Sequence, residues 1–307
     1  MATMWLAFAF SGPVLWAASM HIDKHLVDKY FRKTSTAVLM VFNSVIDLLA
    51  LPVIWYFVPG VCAVSPLAIA VMTASGALYV AAMLFYLQAL QSEEPSVVGP
   101  LFQGAVLWGA LLAFLLLGET LSPLQMLGGA FIVAGALVLS VNSSQGFKSI
   151  RLRLVLTMLA CTFSLALSSV IFKYFAVGGE FWVTTFWTYV GAVGAGGALL
   201  ATGGRWKQFI WLFRAHPGAM VGVNATNELI NLGGGLGVRY ALLLAPVSLV
   251  QAISSTTTLF VFCFGVMLAR FVPALGREDL SAMNLVRKGV AALLVAIGIA
   301  VISPGQS

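Results

Sequence analysis

Charge is what this 307-residue sequence lacks. Only 8% of its residues are Asp, Glu, Lys or Arg, against roughly a quarter in a soluble domain. That deficit excludes a water-facing surface of this size, so the solvent for most of the chain is lipid. Acidic residues are scarcest, at 10 in all, which makes each one informative. The three cysteines, Cys62, Cys161 and Cys263, lie far apart in apolar runs. They exclude a disulfide framework and a cysteine metal site and read as small buried hydrophobes. The three histidines form no His-Glu-x-x-His motif, which removes the zinc-hydrolase pattern. No phosphate-binding Gly-Lys-Ser/Thr loop is present, so ATP-driven transport by this chain alone is not expected. No basic stretch precedes the first apolar run, which reads as a retained helix rather than a cleaved signal. Neither a soluble domain nor a cofactor motif is visible.

What is present is hydrophobic length. A helix needs about 20 mostly apolar residues to cross a bilayer. Ten segments qualify: 2–20, 36–58, 67–91, 95–117, 121–141, 152–174, 181–202, 218–243, 246–268 and 285–303. Several links are very short, such as Glu93-Glu94 and the turn at Glu119-Thr120, and imply antiparallel neighbours. The expected fold is an all-α integral membrane protein of ten transmembrane helices.

The basic residues support that count. Lys24, Lys29, Arg32 and Lys33 follow the first segment. Lys148, Arg151 and Arg153 follow the fifth, Arg205, Lys207 and Arg214 the seventh, and Arg270, Arg277, Arg287 and Lys288 the ninth. All of these fall on one side of a ten-span chain. Only Lys173 and Arg239 fall on the other. The positive-inside rule then predicts an inner-membrane protein with both termini outside the cytoplasm. The net charge of +6 thus reads as topology, not as nucleic-acid binding.

A weak repeat divides the chain into 1–145 and 146–307. Ser19-Met20-His21-Ile22-Asp23-Lys24 parallels Ser168-Ser169-Val170-Ile171-Phe172-Lys173, and Leu121-Ser122 parallels Leu280-Ser281. Five helices per half is an odd number, so the second half must enter the membrane upside down. Inverted repeats are common in secondary transporters, with the binding site at the midplane between the halves.

The sequence resembles the EamA-type ten-helix proteins of the drug/metabolite transporter superfamily. Trp16 is followed eight residues later by Lys24. Leu115-Leu116-Leu117-Gly118-Glu119-Thr120-Leu121 closes the first half and is followed by Gly128 and Gly135. The second half departs from the pattern, with Leu268-Ala269-Arg270 in place of a Leu-Gly-Glu turn. The basic first link and the uncharged link from Phe57 to Ser65 reverse the charge bias usual in the family. The resemblance implies secondary transport, often export, of amino acids, drugs, sugars or nucleotide derivatives. It also implies a cavity lined by the first four helices of each half, with the fifth helices packed outside.

A charge in the hydrocarbon layer costs at least about 2.5–3.5 kcal/mol and needs a reason. Glu228 lies near the centre of the eighth segment, flanked by Asn224, Asn227 and Asn231. Asn224, Glu228 and Asn231 share one helix face. Asp47 is central in the second segment, with Asn43 one turn earlier. Glu228 is a candidate substrate-binding or proton-coupling carboxylate. Its structural alternative is a buried pair with Arg239 or Lys173, although Arg239 lies about 16 Å further along the helix. Gln103, Gln251 and Ser254 are further candidates to face the cavity, though Ser and Thr also bond their own helix backbone. Trp16, Tyr79 and Tyr86 are candidate aromatic lining or packing. Lys24, Lys173 and Arg239 are candidates for a charged gate, or side chains that snorkel to the interface. His21, Asp23, Lys24, His25 and Asp28 read as a solvated helix end; a metal held by His21 and His25 is the sharper alternative. Gly233-Gly234-Gly235-Leu236-Gly237 either interrupts a helix to expose backbone to a ligand or packs tightly. Gly12-Pro13 and Gly99-Pro100 are candidate kinks.

The function expected is secondary transport of a small polar or amphipathic metabolite by alternating access, with protons as candidate coupling ion. The expected context is membrane lipid, as monomer or homodimer. A lipid-linked or nucleotide-sugar substrate, a non-transport scaffold and an intramembrane enzyme are the alternatives. Catalytic residues, metal and cofactor are not expected.

Overall fold

A computed structural model describes residues 4–26, 29–30, 35–92, 101–102, 104–140, 152–178, 181–271 and 282–302. Within these the chain is helical, with no strand. The helices are α1 (Met4–Leu26), α2 (Thr36–Phe57), α3 (Pro66–Ser92), α4 (Gly104–Leu117), α5 (Pro123–Ser140), α6 (Leu152–Gly178), α7 (Phe181–Ala201) and α8 (Arg205–Ala215). A wide turn over Gly218–Asn224 leads into α9 (Ala225–Leu244). Then come α10 (Val247–Ser254), α11 (Thr257–Phe271) and α12 (Ala282–Ile302). Among the described residues, six stretches are long and apolar enough to cross a membrane, in α1, α2, α3, α6, α7 and the α10–α11 run. Shorter apolar helices occupy Gly104–Leu117, Pro123–Gly135 and Gly289–Gly298. Residues Glu93-Glu94, Gly99-Pro100 and Gln103 lie outside the described residues.

Local chemistry sets the ends. Ser122 and Gln125 form a reciprocal capping box: Gln125 N–H donates to Ser122 Oγ (3.2 Å) and Ser122 N–H to Gln125 Oε1 (2.9 Å), satisfying two orphan donors at the start of α5. Ser35 caps α2 through Ala37 N–H at 3.3 Å. Three differences from the sequence reading have physical causes. First, α1 runs to Leu26 rather than residue 20, carrying the polar cluster into the helix. Second, the predicted span 246–268 breaks at Ser255-Thr256. The hydroxyls of Ser255, Thr256 and Thr257 each bond a carbonyl three residues back, at 2.6–2.7 Å, and compete with the α-helical ladder. Third, the link at 203–217 contains α8, an amphipathic helix whose Leu212 is fully buried.

Small residues bring the helices close, as in membrane bundles where backbone approach replaces the hydrophobic drive. α1 packs along α9, and α6 along α3; α5 packs against α12 and α2 against α7. A methyl group added at Gly298 would lie 2.6 Å from the Gly128 carbonyl, and one at Gly135 2.8 Å from that of Ala291. The α5–α12 seam is therefore built on the two glycines noted in the sequence. At the α3–α7 crossing, Gly76 faces the Thr188 carbonyl and Gly191 faces that of Thr73, each with no room for a side chain. The Gly233–Gly237 run leaves α9 uninterrupted. Gly234 packs under Trp16 and against Gly12, and Gly237 against Ser11. This favours the packing reading of the run.

Candidate functional site

The polar stripe of α9 is buried in the bundle against α1. Asn224 is 2%, Asn227 0% and Glu228 5% accessible. These groups lower the hydropathy of α9, which is not among the six apolar spans. Asn231 Nδ2 lies 3.5 Å from Glu228 Oε2, a long hydrogen bond. Asn227 Nδ2 donates to Asp23 Oδ1 at 2.7 Å, with Ser19 one turn before Asp23 on the same helix. Three buried acceptors then stay without a partner among the described residues: Asn224 Oδ1, Asn227 Oδ1 and Glu228 Oε1. An unpaired buried polar group costs about 1–3 kcal/mol, and such a cluster calls for a functional explanation.

A cation sits further along α9. Arg239 lays its guanidinium over Phe172 of α6 (5.1 Å to the centroid) and Tyr189 of α7 (4.9 Å). Its Nη1 is buried, also with no hydrogen-bond partner among the described residues. Asp47 of α2 is within electrostatic reach of Arg239, and Glu228 within reach of Asp23 and Asp47. Tyr79 of α3 is influenced by all four charges. It lies in phase with the buried face of Met72, Ser75 and Gly76, yet is 36% accessible. Its phenol therefore borders open space inside the bundle rather than lipid. Three carboxylates and one guanidinium, from α1, α2 and α9, thus lie within electrostatic reach of one tyrosine. The balance there is acidic.

The remaining predicted residues are distributed as follows. Trp16 sits over Gly234 at the α1–α9 contact; a methyl group at Gly234 would lie 3.0 Å from its Nε1. Tyr86 meets Phe102 edge-on at 5.3 Å and is within electrostatic reach of Asp23. Gln251 lies against Gly109 of α4, where an added methyl group would be 3.2 Å from its Cδ. Ser254 donates to the Val250 carbonyl in its own helix at 2.9 Å. The backbones of Asn43 and Lys24 belong to α2 and α1, while their side chains lie outside the described residues.

Lys173 does not snorkel. Its Nζ is 2.5 Å from Glu119 Oε1 and donates to the Ala245 carbonyl at 2.5 Å. Glu119 Oε2 accepts the Val247 N–H at 2.9 Å. Gly118, at φ 66°, supplies the left-handed turn that presents Glu119. The Leu-Gly-Glu turn of the first half therefore caps α10 of the second.

The expectation of a solvated end for the His21–Asp28 cluster is corrected at His21 and Asp23, while Asp28 lies outside the described residues. Asp23 is bonded to Asn227, and His21 Nε2 lies 2.9 Å from the Val261 carbonyl. His25 meets the Tyr30 ring edge-on. Among the described residues, no group of three His, Cys, Asp or Glu side chains is placed to hold a metal. The sequence held a signal for Asp23: it stands seven residues after Trp16, with Ser19 between them, on one helix face.

Residues 3–141 match the EamA-like transporter family, which bears out the resemblance read from the Leu115–Leu121 turn. No curated protein matches the chain. One crystal structure, titled only as that of a protein, shares the fold with a TM-score of 0.62 at 16% identity, covering 96% of this chain and 94% of its own. The apolar helices make this a multi-pass membrane protein, and its residues 3–141 are similar to an EamA-like transporter.

Proposed function

We propose that the protein is a secondary transporter that moves a small amine-bearing or cationic metabolite by alternating access, between two inverted five-helix halves at 1–145 and 146–307. The observation that carries the reading is the group of buried acceptors at the start of α9, Asn224 just before it and Asn227 and Glu228 within it, set in an interior that also holds Asp23 and Asp47. Acceptors and carboxylates call for a ligand rich in N–H donors. Arg239 bounds the same space and can receive a carboxylate or other acceptor at its free Nη1, so a zwitterion fits as well as a simple amine. A strongly anionic nucleotide sugar meets three carboxylates and is disfavoured.

The packing supports two inverted halves. α1 against α9 has α6 against α3 as its counterpart, and α5 meets α12 across the axis that would relate them. One pair breaks the symmetry: α3 packs closely on α7, while α2 touches α9 only lightly. In this reading the α2–α9 side, which carries Asp47 and Glu228, is the open one, and the reverse state closes it while parting α3 from α7. The Lys/Arg bias supports an inner-membrane orientation with both termini outside the cytoplasm. Export is the direction that the family resemblance implies. Glu228 is the site at which a coupling proton exchanges with cargo. The chain acts as a carrier, as monomer or homodimer, and not as an enzyme.

The experiment is a growth challenge with toxic amine, amino-acid and nucleoside analogues, in cells expressing wild type or Glu228→Gln. Protection by wild type alone against the amine or amino-acid class supports the reading; sensitisation by wild type alone reverses the direction to import. Transport that survives conversion of both Asp47 and Glu228 to apolar residues would sink the acidic site, and no effect of wild type on growth despite confirmed membrane expression would favour a scaffold.

A further inference from the structure

Helix α8 lies away from the acidic interior, between α7 and the turn that enters α9. Its inner face is fixed to the bundle. Leu212 is fully buried, Phe209 packs on Phe42 of α2 at 4.5 Å between centroids, and Gln208 Oε1 accepts the Ser35 N–H at 3.1 Å. Arg205 is committed to the end of α7, donating to the Leu199 carbonyl and to Thr202 Oγ1. The outer face is different. Trp206, Lys207, Ile210, Trp211, Arg214 and Ala215 line an open groove of about 520 Å³.

Both indoles are 55% accessible. Lys207 and Arg214 form no ion pair among the described residues, and no acidic residue occurs from 203 to 217. The two cations are seven residues apart, two turns along one face and about 10 Å. Tryptophan is favoured at the level of the lipid headgroups. A basic, aromatic helix with one apolar face lies in that layer and is attracted to anionic lipid. Arginine also offers a planar fork that matches phosphate geometry.

We propose that the outer face of α8 is a binding site for an anionic phospholipid. Lys207 and Arg214 hold the headgroup phosphate, and Trp206, Ile210 and Trp211 cover the start of the acyl chains. The site is separate from the transport cavity and does not depend on what the protein carries.

The test uses the purified full chain in a neutral detergent, followed by thermal unfolding and by native mass spectrometry. It is titrated with phosphatidylglycerol, with phosphatidylcholine of the same acyl chains, and with soluble glycerol phosphate. Phosphatidylglycerol is expected to raise the unfolding midpoint and to stay bound, and the other two are not. Lys207→Gln/Arg214→Gln should weaken phosphatidylglycerol binding at least about tenfold without moving the lipid-free midpoint. Lys29→Gln/Arg153→Gln, which removes as much charge elsewhere, should keep wild-type binding. Equal stabilisation by phosphatidylcholine overturns the proposal, as does full retention of binding in the Lys207/Arg214 variant. An equal effect of glycerol phosphate overturns it in favour of a soluble-anion site.

Discussion

Asn227 donates to Asp23 across 2.7 Å, joining two residues 204 positions apart in the chain. The contact crosses from α1 to α9, about two to three turns away from where Gly12 and Gly234 let the helices approach. It fixes the Asn227 amide with its nitrogen towards α1, which leaves Oδ1 as a buried acceptor beside Glu228. A hydrogen bond to a charged group is worth about 1.5–3 kcal/mol. Asn227→Ala and Asp23→Asn should each lower the unfolding midpoint. The double variant should lose less than the two single losses combined, by a coupling energy of ~1 kcal/mol or more. Additive losses would mean that the two side chains do not interact.

Glu228→Gln keeps the size of the side chain and removes its charge. If the carboxylate receives an ammonium group, apparent affinity for a cationic cargo should fall about ten- to a hundredfold, while a neutral analogue of the same shape should be nearly unaffected. Asp47→Asn should act in the same direction with a smaller effect, because the charge of Arg239 already acts on Asp47. Equilibrium binding in detergent measures both. Equal losses for charged and neutral ligands would assign Glu228 to structure.

Arg239 is held by two ring faces, an arrangement suited to a flat guanidinium and poorly to an ammonium. Arg239→Lys should therefore fail to restore function, although it keeps the charge. Phe172→Leu should weaken the site by about 0.5–2 kcal/mol, the range of a desolvated cation–π contact. The comparison to make is transport rate against melting temperature. Full transport in Arg239→Lys would show that charge alone suffices there.

Much of this arrangement was legible in the residues themselves. Hydropathy located the helices, because a lipid-facing helix must be apolar for about 20 residues, and acids rare enough to count drew notice to Asp47 and Glu228. Pairings across the bundle were not legible. Asp23 reads as a solvated helix end, because its helical spacing from Trp16 and Ser19 does not show that Asn227 faces it. The partner of Lys173 was sought in Glu228 and is Glu119, since distance along the chain says nothing about which helix corner returns to which. The serine–threonine run at 254–258 was read inside one span; its back-bonded hydroxyls end α10 instead.

The Gly76–Gly191 crossing tolerates no side chain, since a methyl group at either would run into the carbonyl opposite. Overpacking costs typically about 1–3 kcal/mol. Gly191→Ala should lower the unfolding midpoint, and Gly191→Leu should yield little folded protein. Gly194, on the same helix with open space beside it, is the control, and Gly194→Ala should be tolerated. If the Gly191 and Gly194 variants behave alike in detergent-solubilised melts, the close approach of α3 and α7 is wrong.

Glu119 and Lys173 tie the first half to the second, and the two residues should be unequal in effect. Glu119→Ala removes the ion pair and leaves the Val247 N–H without its acceptor, so two contacts go at once. Lys173→Met removes the pair and the bond to the Ala245 carbonyl, but Glu119 still caps α10. Glu119→Gln keeps an acceptor for Val247 and loses only charge. The side chains retain 13% and 16% accessibility, so part of the attraction is screened. Losses of about 1–3 kcal/mol for Glu119→Ala and about 1 kcal/mol for the other two are expected. Thermal unfolding gives the order: Glu119→Ala lowest, Lys173→Met and Glu119→Gln above it, wild type highest. If the same contact holds one end of the carrier shut, these variants should also label faster with a membrane-impermeant thiol reagent at a cysteine placed at Leu243. Unchanged labelling alongside lowered stability would make the contact a staple of the fold and not a gate.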